Sequence, residues 1–213
     1  MQAEQEEIAN TITHALGLVL SLLGIGPMVM HAAAGGDLGA LVGCTVFVTT
    51  MTAVYGASTL SHLVREPRRR RMFRILDQSL IYVMISGTYT PFGLTYLRGG
   101  RWWLLLAGMW VVTLAGVVSK TWLRHRVDAA TAWTYVLLGW MPLLALKPIL
   151  AIVPSALLLW TLAGGVLYTL GTVFLMLDVR VRYFHAIWHL MVIAASAVHY
   201  FAIYRFVAPF TEL

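Results

Sequence analysis

The sequence predicts an all-α fold: a polytopic membrane protein built as a seven-transmembrane helix bundle, N-terminus cytoplasmic and C-terminus outside. Three observations predict it. The 213 residues are 60% hydrophobic and 11% charged, with a mean hydropathy of +0.79, whereas a soluble domain is about 45–50% apolar and about 25% charged. The apolar residues gather into runs long enough to span a bilayer, roughly 17–25 residues each. The basic residues gather in the short segments between those runs. An apolar surplus of this size means that most of the surface meets lipid.

An acidic, polar N-terminus, MQAEQEEIAN, is the opposite of a signal peptide's basic start. The first span comes next, from about Ile12 to Ala33, and a Gly35–Gly36–Asp37 turn leads into the second, Leu38 to Leu63. The third runs from about Ile75 to Leu97. Its SGTYTP segment, Ser86 to Pro91, supplies small residues for close helix approach and a proline that kinks the span. The fourth runs from Trp102 to Leu123, with the tryptophan pair at 102 and 103 anchoring one interface. Ala129 to Leu177 are 49 residues whose only charge is Lys147. As a single helix they would extend about 73 Å, so they predict two spans, broken near Lys147–Pro148. GWMP, Gly139 to Pro142, marks a kink in the fifth. The last span runs from Phe184 to Val207. No repeat or linker divides the chain, which reads as one domain over residues 1–213.

Charge sets the direction. On the side of the N-terminus, the tail, Leu63–Arg74, Lys120–Asp128 and Asp178–Tyr183 hold zero, six, three and two Lys or Arg, eleven in all. The opposite segments hold none, two, one and one, four in all. This bias places the N-terminus in the cytoplasm. It also accounts for the net charge of +6 without a nucleic-acid partner, because the arginines flank membrane spans. A single cysteine, Cys44, excludes a disulfide framework and cysteine-rich zinc sites.

On this topology the polar residues inside the spans converge at one level of the inner leaflet. Ser58 and His62 lie four apart in the last turns of the second span, hence on one face. Asp77 sits in the first turns of the third. His185 and His189 open the seventh, again four apart. Glu7, Asn10 and His14 form one stripe at the start of the first. Imidazoles in hydrocarbon are costly unless something satisfies them. Zinc takes nitrogen ligands, and a catalytic zinc keeps three protein ligands and leaves a fourth position to water. Three imidazoles with a nearby carboxylate and hydroxyl suit that chemistry. Rings simply hydrogen-bonded to neighbouring helices are the alternative. His199, about 15 Å deeper than His189 by helical rise, is too far to share an ion and reads as a bundle-interior residue. His31 and His125 carry no assigned role.

The motifs E-x-x-N-x-x-x-H (Glu7, Asn10, His14), S-x-x-x-H (Ser58, His62), D-x-S-x-I-Y followed by G-T-Y-T-P (Asp77 to Pro91) and H-x-x-W-H (His185 to His189) occur in this order along nearly the whole chain. In them the sequence resembles the haemolysin-III branch of the progestin and adipoQ receptor (adiponectin receptor-like) family. The resemblance implies a Zn2+ ion held by His62, His185 and His189, with Asp77 holding the water at that ion and Ser58 beside it. Glu7, Asn10 and His14 would support the site from behind. It implies a location in the inner (plasma) membrane of a bacterial cell. The wider superfamily includes ceramidases, so the implied function is hydrolysis of a lipid amide or ester, with a membrane lipid as substrate or ligand. Ser58 would then donate to the developing oxyanion.

Two departures stand out. Many relatives carry a histidine directly after the aspartate, where this chain has Gln78. The extensions of hormone-responsive relatives have no counterpart, which argues against a hormone-receptor role. The rival expectation is a non-enzymatic membrane protein, cytolytic, channel-like or sensing the membrane state, with structural zinc. The scarcity of charge elsewhere in the spans argues against a wide aqueous pore.

Overall fold

The computed structural model describes residues 2–99, 101–122 and 129–211. Among these residues the chain is all helical: α1 (Gln2–Gly35), α2 (Leu38–Leu63), α3 (Pro67–Leu94), α4 (Trp103–Trp122), α5 (Ala129–Trp140), a 3-10 turn (Met141–Ala145), α6 (Leu146–Ile152), α7 (Ser155–Leu177) and α8 (Phe184–Phe206). His125 and the end of the fourth expected span at Leu123 lie outside the described residues.

Among the described residues, six helical units are long and apolar enough to cross a bilayer: α1, α2, α4, the α5–α6 rod, α7 and α8. Their outward faces are aliphatic, with Leu23, Met30, Leu137 and Leu159 all largely exposed. That is the surface an integral membrane protein presents to lipid. α3 is not among the six on composition, because it opens with arginines and carries Asp77 and Gln78. Its polar residues turn inward: Ser86 hydrogen-bonds Thr113 of α4 at 2.7 Å. Gly87 lies so close to Thr50 of α2 that a Cβ there would collide with the threonine side chain.

α1 begins at Gln2 rather than near Ile12. Its 34 residues extend about 51 Å, more than a hydrocarbon core of about 30 Å. The extra turns are held by ion pairs at one end of the bundle. Glu4 meets Arg65 at 3.4 Å, Glu6 meets Arg182 at 3.3 Å, and Glu7 meets Arg70 and Arg74, the latter at 3.6 Å. The polar N-terminus is rich in the helix formers Gln, Ala and Glu, and its carboxylates dock on the arginines that follow α2 and α7.

The fifth and sixth spans meet at a different place from the expected break at Lys147–Pro148. The rod first loosens into the 3-10 turn Met141–Ala145 at Pro142, where GWMP predicts a kink. Pro148 then sits in the first turn of α6, where its missing N–H would have had no helical partner anyway. The reversal comes at Val153–Pro154. Val153 is extended, as the residue before a proline prefers.

At the end of the bundle away from the arginines that follow α2 and α7, Gly36 also turns the chain, at φ 79, and Asp37 caps α2 by accepting from the Ala40 N–H at 2.8 Å. Asp37 also accepts from Arg98 Nη1 at 2.7 Å. Burial alone would raise its pKa, but the Ala40 N–H and the Arg98 guanidinium hold it below the usual carboxylate value. The core between these ends packs Phe47 and Tyr55 of α2, Met28 of α1, Leu157 of α7 and Ile203 of α8, with Cys44 fully buried among them.

Candidate metal centre

The last turn of α2 and the first turns of α8 meet at the arginine-rich end of the bundle. α8 can start there because the link Asp178–Tyr183 reverses the chain tightly, ending at Tyr183 with φ 62. A non-glycine residue at positive φ costs about 1–2 kcal/mol, and such strain clusters at functional sites. Beyond it, His185 and His189 present their rings one turn apart.

The three rings converge. One nitrogen each from His62, His185 and His189 falls within 4.8 Å of the others. The ring centroids are 5.2 Å apart for His62–His185, 5.2 Å for His62–His189 and 4.6 Å for His185–His189. The expectation that histidines distant in sequence meet at one point is met. Polar neighbours at the arginine-rich end accompany them.

Each ring is also oriented from behind, through Nδ1. His62 Nδ1 donates to Glu7 Oε2 at 2.8 Å. His185 Nδ1 donates to Asp178 Oδ2 at 2.7 Å. His189 Nδ1 reaches Thr13 Oγ1 at 3.0 Å and the Asn10 carbonyl at 3.2 Å. The Thr13 hydroxyl gives its own hydrogen to the Ala9 carbonyl at 2.9 Å, so toward His189 it is an acceptor. With every Nδ1 carrying the proton, every Nε2 keeps its lone pair. Metal-binding histidines characteristically give their other N–H to a carboxylate or carbonyl in this way. The donor set therefore fits a divalent cation: three neutral imidazoles, pre-oriented, in a largely buried site. Three nitrogen ligands suit zinc.

The other residues singled out in the sequence take distinct places. Asp77 lies beside the triad, close enough to interact electrostatically with His185, and accepts hydrogen bonds from Ser58 and Ser61, the Ser61 Oγ at 3.3 Å. Ser58 is thus engaged with the carboxylate. Glu7 and Asn10 contact the ligand rings, Asn10 through its main chain. His14 makes no hydrogen bond to them; it stacks on His189 at 3.5 Å. Gln78 offers its carbonyl to the Tyr135 hydroxyl at 3.0 Å. His199 is buried in the interior, and His31 stacks on Tyr204 at 4.6 Å.

Sequence reading missed Thr13, Ser61 and Asp178. Thr13 and Ser61 are each one residue from a position it chose. Asp178 is seven residues before His185, beyond helical reach, and only the tight link brings it back. Arg70 and Arg74, read as topological charges, also hold Glu7 in place.

The triad opens into a cavity of about 880 Å³ that also reaches Asp77, Tyr89, Ile149, Leu158 and His199. It traverses most of the bundle and is walled mainly by aliphatic and aromatic side chains. A smaller cleft of about 280 Å³, between α5 and α7, shares Val136, Thr169 and Thr172 with its wall.

Known proteins share this arrangement of sequence. The profile of the family described as Haemolysin-III related matches residues 2–200. "Hemolysin-3" of Bacillus cereus is 38% identical over 208 residues, covering 98% of this chain and 94% of the relative. "Hemolysin-3 homolog" of Bacillus subtilis (strain 168) is 36% identical over 199 residues, 93% of each. A human protein, "Monocyte to macrophage differentiation factor", is 26% identical over 210 residues, covering 94% of this chain and 84% of its own. A match over nearly the whole length, on an all-helical membrane protein whose histidines converge, bears out the resemblance drawn from the motifs: the chain belongs to the haemolysin-III related family of integral membrane proteins.

Proposed function

We propose that this protein is a zinc-dependent membrane hydrolase that cleaves an amide or ester of a membrane lipid. One observation carries the reading: three imidazoles with Nδ1 engaged stand beside a carboxylate at the mouth of a cavity large enough for an alkyl chain. Ligand cavities are about 300–1,000 Å³. His62, His185 and His189 hold the ion through Nε2. When bound, zinc lowers the pKa of water toward about 7 and polarises a carbonyl.

The chain's own residues do the rest. Asp77 takes the proton of the attacking water at its carboxylate and passes it to the leaving nitrogen or oxygen. The water oxygen joins the carbonyl carbon, the C–N or C–O bond breaks, and fatty acid leaves with an amine or alcohol. The Ser58 and Ser61 hydroxyls hold the carboxylate oriented toward that water. Ser58 can also turn to the developing oxyanion. The acyl chain occupies the apolar cavity, entering sideways from lipid through the cleft between α5 and α7.

In this reading α3 is a seventh crossing, its polar face directed inward. The arginine-rich end with the triad faces the cytoplasm, and the protein lies in the inner (plasma) membrane of a bacterium. The decisive experiment gives purified, zinc-loaded protein a broad panel of lipid amides and esters. Asp77→Asn should keep zinc and lose turnover by about 10²–10⁴-fold, and His185→Ala should lose both. No fatty acid released by wild type from any lipid would overturn the proposal.

The name of the Bacillus relatives favours a second reading, a cytolytic protein with structural zinc. The apolar wall of the cavity weighs against an ion path. Flux through the protein in liposomes, surviving loss of the three histidines, would favour it.

A further inference from the structure

The wall of the cavity is not apolar throughout. Far from the triad it carries Tyr89 of α3 and His199 of α8. α3 and α8 both lead away from the level at which Asp77 and His185 interact, so helical rise gives the depth of residues farther along each. Tyr89 comes twelve residues after Asp77 and His199 fourteen after His185, about 18 and about 21 Å along the helices. α7 gives the same depth from the other direction. Gly164, fourteen residues before Asp178, lies so close to the His199 ring that a Cβ there would collide with it.

Each group keeps unused hydrogen-bonding capacity. Tyr89 is 7% exposed and its hydroxyl is buried without a hydrogen-bond partner, which is costly in an apolar wall. His199 Nδ1 donates to the Ala195 carbonyl at 2.9 Å, so Nε2 is left with a lone pair. The polar side chains beside them are committed elsewhere. Tyr168 and Tyr55 both bond Ser196 at 2.8 Å, and Thr88 and Thr161 donate to their own helices at 2.8 Å each. Tyr89 thus offers a donor and His199 an acceptor, in one cavity and at one depth.

A hydroxyl accepts one hydrogen bond and donates another, so it suits the donor on α3 and the acceptor on α8 alike. We propose that the outer part of the cavity is a second binding station, taking a hydroxyl carried near the far end of an alkyl chain whose head lies at the triad. This rests on the reading of the cavity as a lipid site, and not on hydrolysis. A plain chain threads past both groups without a bond to either; a chain hydroxylated about 20 Å from its head brings a hydrogen-bonding partner to their level.

The test is equilibrium binding of palmitate and ω-hydroxypalmitate to the purified protein in nanodiscs. Wild type should bind the hydroxylated chain about fivefold more tightly, the scale of one or two net hydrogen bonds. Tyr89→Phe should erase that preference while leaving palmitate affinity within about twofold. It should not lower thermal stability, since it removes only an unsatisfied hydroxyl. His199→Gln should weaken the preference. Equal affinity of wild type for the two chains, as expected if water alone bridges the pair, would overturn the inference. So would a preference that survives Tyr89→Phe. Failure of either chain to bind would remove the lipid reading of the cavity with it. A hydroxyl preference without any lipid turnover would remove only the hydrolase.

Discussion

Replacing Asp178 by alanine takes away the acceptor that orients His185 without touching a ligand atom. The bond is short, 2.7 Å from Nδ1 to Oδ2, with side chains 30% and 24% exposed. A hydrogen bond to a charged group contributes about 1.5–3 kcal/mol net. Partial exposure screens this pair toward the lower end, about 1.5 kcal/mol. At about 1.4 kcal/mol per factor of ten, the change should weaken zinc about tenfold, the low end of the 10–100-fold effects of such outer partners. Asp178→Asn keeps a carbonyl acceptor and should lose less. The assay is competition for zinc against a chromogenic chelator at fixed pH in detergent, with wild type, Asp178→Ala and His185→Ala side by side. A second readout is thermal stability: a tenfold weaker site loses about 1.4 kcal/mol of the stabilisation that a fixed excess of zinc confers. Wild-type affinity in Asp178→Ala, within twofold, would refute the argument that Nδ1 contacts leave Nε2 for the ion. Wild-type affinity in His185→Ala would refute the ligand set itself.

Other perturbations test the frame around the site. Because the folded pKa of Asp37 is depressed, its contribution to stability is complete above the unfolded value of about 3.9 and is lost as pH falls through the lower folded value. Asp37→Asn should cost about 1 kcal/mol at neutral pH and flatten the acid limb of a melting-temperature profile; an unchanged limb would count against the Arg98 pairing. Tyr183→Val places a β-branched residue at φ 62 and should destabilise by about 1 kcal/mol or more, whereas Tyr183→Gly should not, by thermal unfolding with zinc affinity in parallel. Gly87→Val drives a side chain into Thr50 and should cost about 1–3 kcal/mol, partly recovered when Thr50→Ala is added. Additive losses in the double variant would show that the two helices do not meet there.

Helix ends and breaks show where local reading stops. Apolar runs mark the portion of a helix that lipid surrounds, and they place α2, α8 and the start of α4 within a residue or two of the observed bounds. They do not mark the first turns of α1, which are polar and pair through Glu4, Glu6 and Glu7 with Arg65, Arg182 and Arg70, residues distant in the chain. The break between the fifth and sixth spans moved for a similar reason. A proline disrupts a helix by position, and Pro148 falls in a first turn while Pro154 falls at the reversal.

The site divides along the same line. Spacing of four residues is a local property, so the facing of His185 with His189 and of Ser58 with His62 is legible in the chain. Charge bias and span count then bring α2, α3 and α8 to one level. The donors' orientation is not local. Glu7, Thr13 and Asp178 reach the imidazoles from other helices or across a tight link, and nothing in their own neighbourhoods announces it.

The amino-acid order alone therefore determined a membrane helix bundle and the residue types available to bind a cation, because hydropathy and helical periodicity act over short stretches. Which nitrogen each histidine offers, and where the cavity turns polar again at Tyr89 and His199, was decided only by packing. Hydrogen-bond partners and cavity walls are supplied by residues that sequence separates and tertiary contact joins.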